Sequence, residues 1–205
     1  MFEHFKNPPA QYRLAPFWIW NEVPEPSEIE RQLSEMQAKG IGGFFIDGRM
    51  AGRVEGSGEG LILRTQEACD AAERLGLHVY HYDDPPSQRE CGATLNEKLR
   101  SSVSHLEGCT RTLAKTPREA DWTLSPAELK RTLDRQACLG VNFFCPDAFH
   151  YSIAGLPLRA AQPSQSYQAT YWRYYKHFAD YAARLSYVLS QGKHKAQAAL
   201  LRPGS

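Results

Sequence analysis

The chain has 205 residues, is 42% hydrophobic and carries 24 Lys and Arg against 23 Asp and Glu. That composition excludes a disordered polyelectrolyte, and the balanced charge gives no electrostatic footprint for nucleic acid. No apolar run approaches the length needed to span a bilayer.

The segment Met1 to Gln11 contains Glu3, His4, Lys6 and two prolines, so it lacks the apolar core of a signal peptide. Five cysteines, Cys69, Cys91, Cys109, Cys138 and Cys145, are odd in number and form no CxxC pair. These features point to reduced thiols in a cytoplasmic protein. With no low-complexity linker, residues 1–205 read as a single domain.

In chain order, the first β-type run is Ala15-Pro-Phe-Trp-Ile-Trp20. Ser27 and Glu30 form a capping-box pattern, with Ile29, Leu33 and Met36 following at helical spacing. A unit then repeats three times: a helix pattern ends in Gly, and a β-type run ends in Asp seven residues later. The copies run Gly40 to Asp47, Gly76 to Asp83 and Gly140 to Asp147. Each Gly stands where a helix C-cap favours a left-handed residue, and each run is rich in the residue types of a buried strand. Between the first two copies, Leu61 to Leu75 reads as a helix with Ala68, Ala72 and Leu75 on one face. Gly56-Ser-Gly-Glu-Gly60 lacks the GK[ST] ending of a phosphate loop and reads as a βα loop.

Cys109 to Ala114 is a weaker strand candidate. Ser125 and Glu128 repeat the capping box, with Pro126 at the first helical position. A long helix is expected from about Tyr171 to Ser190, with an apolar stripe at Tyr171, Tyr174, Tyr175, Phe178, Ala182, Leu185 and Leu189. Ala198 to Leu201 reads as a closing strand. Five or six βα units in series predict an α/β fold with parallel strands. The form expected is a (β/α) barrel-like one, related to the TIM barrel and reduced to about six strands.

In parallel α/β folds, ligands bind at the carboxyl ends of the strands. Asp47, Asp83 and Asp147 fall there, with Asp84 beside Asp83 and with Trp18, Trp20 and Asn21 ending the first strand. Carboxylates accept from hydroxyls, and indole faces stack on sugar C–H surfaces, so this rim suits a carbohydrate ligand. A carboxylate pair also suits glycoside hydrolysis. An Asp after a strand equally serves as a helix N-cap or turn former, and aromatics in such a run equally serve a core. His81 and Asp83 share a strand face, which leaves a metal-dependent hydrolase or isomerase as a further alternative.

Several strings resemble the barrel glycoside hydrolases related to the family 106 α-L-rhamnosidases. They are Phe5-Lys-Asn-Pro-Pro9, Ala15 to Asn21, Glu28 to Arg49, Val79 to Asp84, Trp122 to Pro126, Gly140 to Ser152, Pro163-Ser-Gln165 and Ala179 to Gly192. The resemblance implies a barrel fold and rhamnose-type glycosides as substrates. It also implies inversion of configuration and a calcium ion. With it, Asp83, Asp84 and Asp147 are the candidate acid and base. Trp18, Trp20, Asn21, Asp47, Arg49, His150 and Tyr151 are the candidate substrate-binding residues.

The chain departs from that pattern in identifiable places. The middle of the family's barrel is mostly absent, with residues 85–111 in its place. Lys115 falls where the family has a catalytic glutamate, and Asp147 stands where it has a histidine. A lysine cannot replace a carboxylic acid as proton donor at the same geometry. The alternative reading is therefore an inactive or miniaturised remnant that binds sugar or only folds. A reduced barrel leaves strand edges unpaired, so a homodimer is expected.

Overall fold

A computed structural model describes residues 2–48, 58–80, 110–117, 120–155 and 162–192. The short helix α1 (Phe2–Lys6) and a 3-10 turn (Ala10–Tyr12) precede strand β1 (Phe17–Ile19). Helix α2 (Pro26–Ala38), strand β2 (Gly43–Asp47), helix α3 (Gly58–Leu75) and strand β3 (His78–Tyr80) follow. Then come β4 (Leu113–Thr116), α4 (Pro126–Cys138), β5 (Phe143–Pro146) and β6 (Phe149–His150). A 3-10 turn (Trp172–Tyr174) leads into α5 (Tyr175–Leu189).

Every strand pairing among the described residues is parallel. One sheet runs β3-β2-β1-β6 and a second pairs β4 with β5. The two are nearly continuous, because β5 and β6 are separated only by Asp147 and Ala148, and Ala15 N–H donates to the Phe144 carbonyl at 3.3 Å. The result is a mixed α/β fold with strands and helices alternating, as the repeat predicts. β3 and β4 end the array, and no pairing joins them among the described residues.

The array is strongly curled. β3 and β5 lie three strand spacings apart, about 14 Å on a flat sheet. Yet the rings of Tyr80 and Phe143 approach to 5.3 Å between centroids. Phe17, Phe45 and Tyr80 stack in series across β1, β2 and β3 at 5.0 and 5.1 Å. These rings, with Cys145 and Ala148, form a small inner cluster on the concave side. The larger core lies on the convex side, where Trp18, Phe44, Phe144 and Phe149 meet the helices.

Local signals explain most element boundaries. Gly40, Gly76 and Gly140 all adopt positive φ, at 82°, 68° and 93°, immediately after α2, α3 and α4. The capping box of α4 forms as expected: Ser125 Oγ accepts from Glu128 N–H while the Glu128 carboxylate accepts from Ser125 N–H. The one expected for α2 does not. Pro26 occupies the first turn and Glu25 is the N-cap, so Ser27 lies inside the helix.

The last helix is also rotated relative to its expected stripe. Its buried face is Tyr175, Ala179, Ala182, Ala183, Ser186 and Tyr187, while Tyr174 and Leu189 are exposed. Small side chains let α5 approach the sheet closely, and that outweighs the pull of the larger residues. The expected strand Ala198–Leu201 lies outside the described residues. No helix among the described residues is long and apolar enough to cross a membrane.

Gly42 and Gly76 separate two reasons for glycine. A Cβ on Gly42 would stand 2.0 Å from the Ala10 carbonyl oxygen, whereas one on Gly76 meets nothing within 4 Å. Gly42→Ala is expected to cost about 3 kcal/mol or more, through a backbone clash. Gly76→Ala should cost about 1 kcal/mol, from its positive φ alone. Urea denaturation of the two variants checks the ordering.

Candidate functional site

Strand alternation decides which side chains reach the concave face. On β1, Phe17 and Ile19 point inward, while Trp18 and Trp20 belong to the outer core. Ile19 is in register with Asp47 on β2 and with His150 on β6. Paired residues of parallel strands share a face, so Asp47, Ile19 and His150 form one inward rung at the carboxyl ends of three adjacent strands. Leu113 and Lys115 on β4 are in register with Phe143 and Cys145 on β5, and Asp147 continues that inward series.

Lys115 and Asp147 meet there. The ammonium lies 3.6 Å from an Asp147 carboxylate oxygen and 4.2 Å from the centre of the Phe17 ring. Lys115 therefore faces the strand ends and presents a cation to Asp147.

Burial pushes the Asp147 carboxyl above the usual range, and the negative charge of Asp47 adds to the effect. Lys115 and His150 pull the other way without cancelling it. His150 is displaced downward, again by burial first, against the Gln162 carbonyl and Asp147. The buried Cys145 thiol lies well above its ordinary value, which removes it as a nucleophile near neutrality.

His150 is held on both sides. Tyr151 N–H donates to the Ile19 carbonyl at 2.8 Å, tying β6 to β1. On the other side, Ser164 Oγ accepts from His150 N–H at 3.4 Å, and Gln168 Nε2 donates to the His150 carbonyl at 2.9 Å. The imidazole Nε2 lies 2.8 Å from the Gln162 carbonyl oxygen. Sequence reasoning missed this clamp. Pro163-Ser-Gln165 is visible as a motif, but a buried polar run next to a strand end has no periodicity that announces it.

Four expected ligand contacts serve the fold instead. Trp18 and Trp20 are both 0% exposed, so neither offers a face to a sugar. Trp18 Nε1 donates to Gln32 Oε1 at 2.9 Å, and the two indoles pack edge to face at 5.2 Å. The cause is parity: an even position on β1 faces the helices, and the helices cover it. Asn21 Oδ1 accepts from Ser152 N–H at 3.2 Å. The Tyr151 hydroxyl accepts from Glu25 N–H at 3.0 Å, and its carbonyl accepts from Gln32 and Tyr167. Both residues join chain segments rather than open onto a site.

Asp47, Asp147 and His150 are brought to one face. Asp83, Asp84, Arg49 and His81 lie outside the described residues. No group of three His, Cys, Asp or Glu that could hold a metal ion occurs among the described residues. A groove of about 170 Å³ between α2 and α3, beside Glu30, Asp70 and Arg74, shares no residue with the strand-end site. Comparisons with family models, curated proteins and solved structures find no match to this chain.

The two displaced groups give opposite pH signatures. A buried carboxyl whose pKa rises on folding contributes stability below its unfolded value and loses it as pH rises through the folded value. A histidine whose pKa falls contributes stability above its unfolded value and loses it as pH drops. Relative to Asp147→Asn, the natural chain should lose stability as pH rises from about 4. Relative to His150→Gln, it should lose stability as pH falls below about 6.5. Melting temperatures across pH 3 to 8, about the span of both transitions, check both slopes.

Proposed function

We propose that the chain is a glycoside hydrolase-like protein on a reduced (β/α) barrel scaffold, acting on rhamnose-type glycosides. Asp147 is the proton donor and Asp47 the second carboxylate. The observation that carries the reading is that both acids stand at strand ends on the concave face, with Asp147 pushed up by burial first and by the charge of Asp47 in addition. Glycoside hydrolysis needs two carboxyls in different protonation states, and unequal environments are what separate them. The curl of the parallel array and the strand-end position of both acids support the same reading.

Acid catalysis here requires a protonated Asp147 at working pH, and burial supplies that tendency. Lys115 opposes it, so the ion pair sets how far the acid's working range extends upward. Asp83 and Asp84, the other candidate acids, stay in the proposal as alternatives to Asp47 for the base. Three described cysteines, Cys69, Cys138 and Cys145, are free thiols, which accords with a cytoplasmic location. A homodimer and a calcium ion remain parts of the proposal that rest on the expectations from sequence alone.

A second reading is sugar binding without turnover. The Lys115–Asp147 contact at 3.6 Å favours it, because a stable ion pair keeps the acid ionised and withholds its proton.

An aryl α-L-rhamnoside panel tests the first reading. Asp147→Asn should lower kcat about 100-fold or more, the usual contribution of a general acid. Activity should fall as pH rises through the elevated Asp147 pKa, and Lys115→Met should move that alkaline limb upward. Activity unchanged in both Asp147→Asn and Asp47→Asn sinks the hydrolase assignment. Calorimetric binding of the same glycosides with no turnover supports the second reading instead.

A further inference from the structure

One buried side chain spans the ends of β4 and β5. Gln165 is 0% exposed. Its backbone N–H donates to the Ala148 carbonyl at 2.9 Å, and its side-chain Nε2 donates to the Thr116 carbonyl at 2.9 Å. The same Thr116 carbonyl accepts from Asp147 N–H at 3.3 Å. The two nitrogens of Gln165 therefore bracket Asp147. One holds the residue after it, and the other holds the strand end to which Asp147 is itself bonded.

The amide has one orientation. Its Oε1 accepts from the Tyr175 hydroxyl on α5 at 3.4 Å. A flip would set Oε1 against the Thr116 carbonyl oxygen, where neither atom can donate. Gln136 on α4 holds the same strand end from another side. Its Nε2 donates to the Lys115 carbonyl at 2.8 Å, and its Oε1 accepts from the Thr116 hydroxyl at 2.6 Å. The backbone of Lys115 and Thr116 is thus fixed by two buried amides. The Lys115 side chain is 35% exposed, so water competes with Asp147 for its ammonium. A flexible four-carbon stem keeps one partner only while the backbone presents that partner within reach.

We propose that Gln165 is the positioning residue of the Lys115–Asp147 pair: by fastening the end of β4 to the β5–β6 linker, it sets how near the ammonium stands to the carboxylate. This deepens the reading of Asp147 as a proton donor, and it rests on that reading only for what the proton is used for. Among the described residues, Asp147 faces Lys115 on β4, Cys145 on β5, Asp47 on β2 and His150 on β6. Of these only Lys115 travels with β4, so its charge is the one that a loosened β4 end withdraws. Withdrawing it removes a group that favours the ionised acid.

The test is carboxyl 13C NMR of Asp147 on the full chain, titrated with no glycoside present. Gln165→Met is close in volume and cannot donate. It should move the Asp147 midpoint upward by roughly half a pH unit or more, part of the roughly one to three that an adjacent cation is worth. In a Lys115→Met background, the same substitution should leave the midpoint where Lys115→Met alone puts it. An unchanged midpoint in Gln165→Met overturns the proposal. An equal shift in both backgrounds overturns it too, because the shift then owes nothing to the lysine. Leu133→Ala truncates a fully buried side chain of the outer core on α4 and should leave the midpoint in place; a matching shift there also overturns the proposal.

If Gln165→Met does not fold, two readouts decide. Gln165→Asn keeps the carboxamide on a stem too short to span from Ala148 to Thr116, and should move the midpoint in the same direction; no shift overturns the proposal. In the unsubstituted chain, a scalar coupling across the hydrogen bond should join Gln165 Nε2 to the Thr116 carbonyl carbon, and its absence overturns the proposal. If the midpoint moves as expected and no aryl α-L-rhamnoside is turned over, the positioning role stands and the hydrolase reading falls. Turnover with an unmoved midpoint gives the reverse.

Discussion

The hydrogen bond from the Trp18 indole to the Gln32 amide orients the rest of the fold. Gln32 is 2% exposed and sits on α2, and its Nε2 also donates to Glu28 and to the Tyr151 carbonyl. One buried amide thus ties β1 to the helix that follows it and to the segment after β6. A buried donor left without its partner would cost on the order of 1–3 kcal/mol, so the register of β1 is strongly specified. A slip of one residue would send Trp18 into the concave side and Phe17 to the helices. It would also remove Asp47 and His150 from their shared rung, because both are positioned by their pairing with Ile19.

The concave side then becomes a small apolar floor with polar groups at one end. Phe17, Phe45, Tyr80 and Phe143 fill it below, and Asp47, Lys115, Asp147 and His150 stand at the carboxyl ends of the strands. Low solvent access makes each charge matter to its neighbours. Asp147 is the centre of this set: burial and Asp47 favour its neutral form, while Lys115 and His150 favour its charged form. Lys115 couples a cation to Asp147, which makes the protonation of Asp147 the quantity on which any proton-transfer chemistry turns.

Local chemistry legible in the residues accounts for the repeated Gly-to-strand units. Gly40, Gly76 and Gly140 end their helices with positive φ, and Ser125 with Glu128 caps α4. Each depends only on neighbours a few positions away. The α2 capping box failed because Pro26, one residue upstream of Ser27, is itself suited to a first turn. The α5 stripe held in part: Tyr175 and Ala182 are buried and Tyr171, Phe178 and Leu185 pack against the core, while Tyr174 and Leu189 are exposed because the buried face turns toward the small residues Ala179, Ala183 and Ser186.

The same division runs through the site. Residue types and the equal spacing of three strands placed Asp47 and Asp147 at strand ends without any structure. Period-two alternation separated Phe17 and Ile19 from Trp18 and Trp20, but it did not say which pair faced the concave side. That choice was made by the helices packing on the convex face, which enclosed both tryptophans. The Lys115–Asp147 contact and the Gln162–Gln168 clamp on His150 join positions on different elements or across a loop. Only tertiary structure could decide them, because alternation and capping are properties of a local stretch of chain, whereas these contacts exist only once the strands curl together.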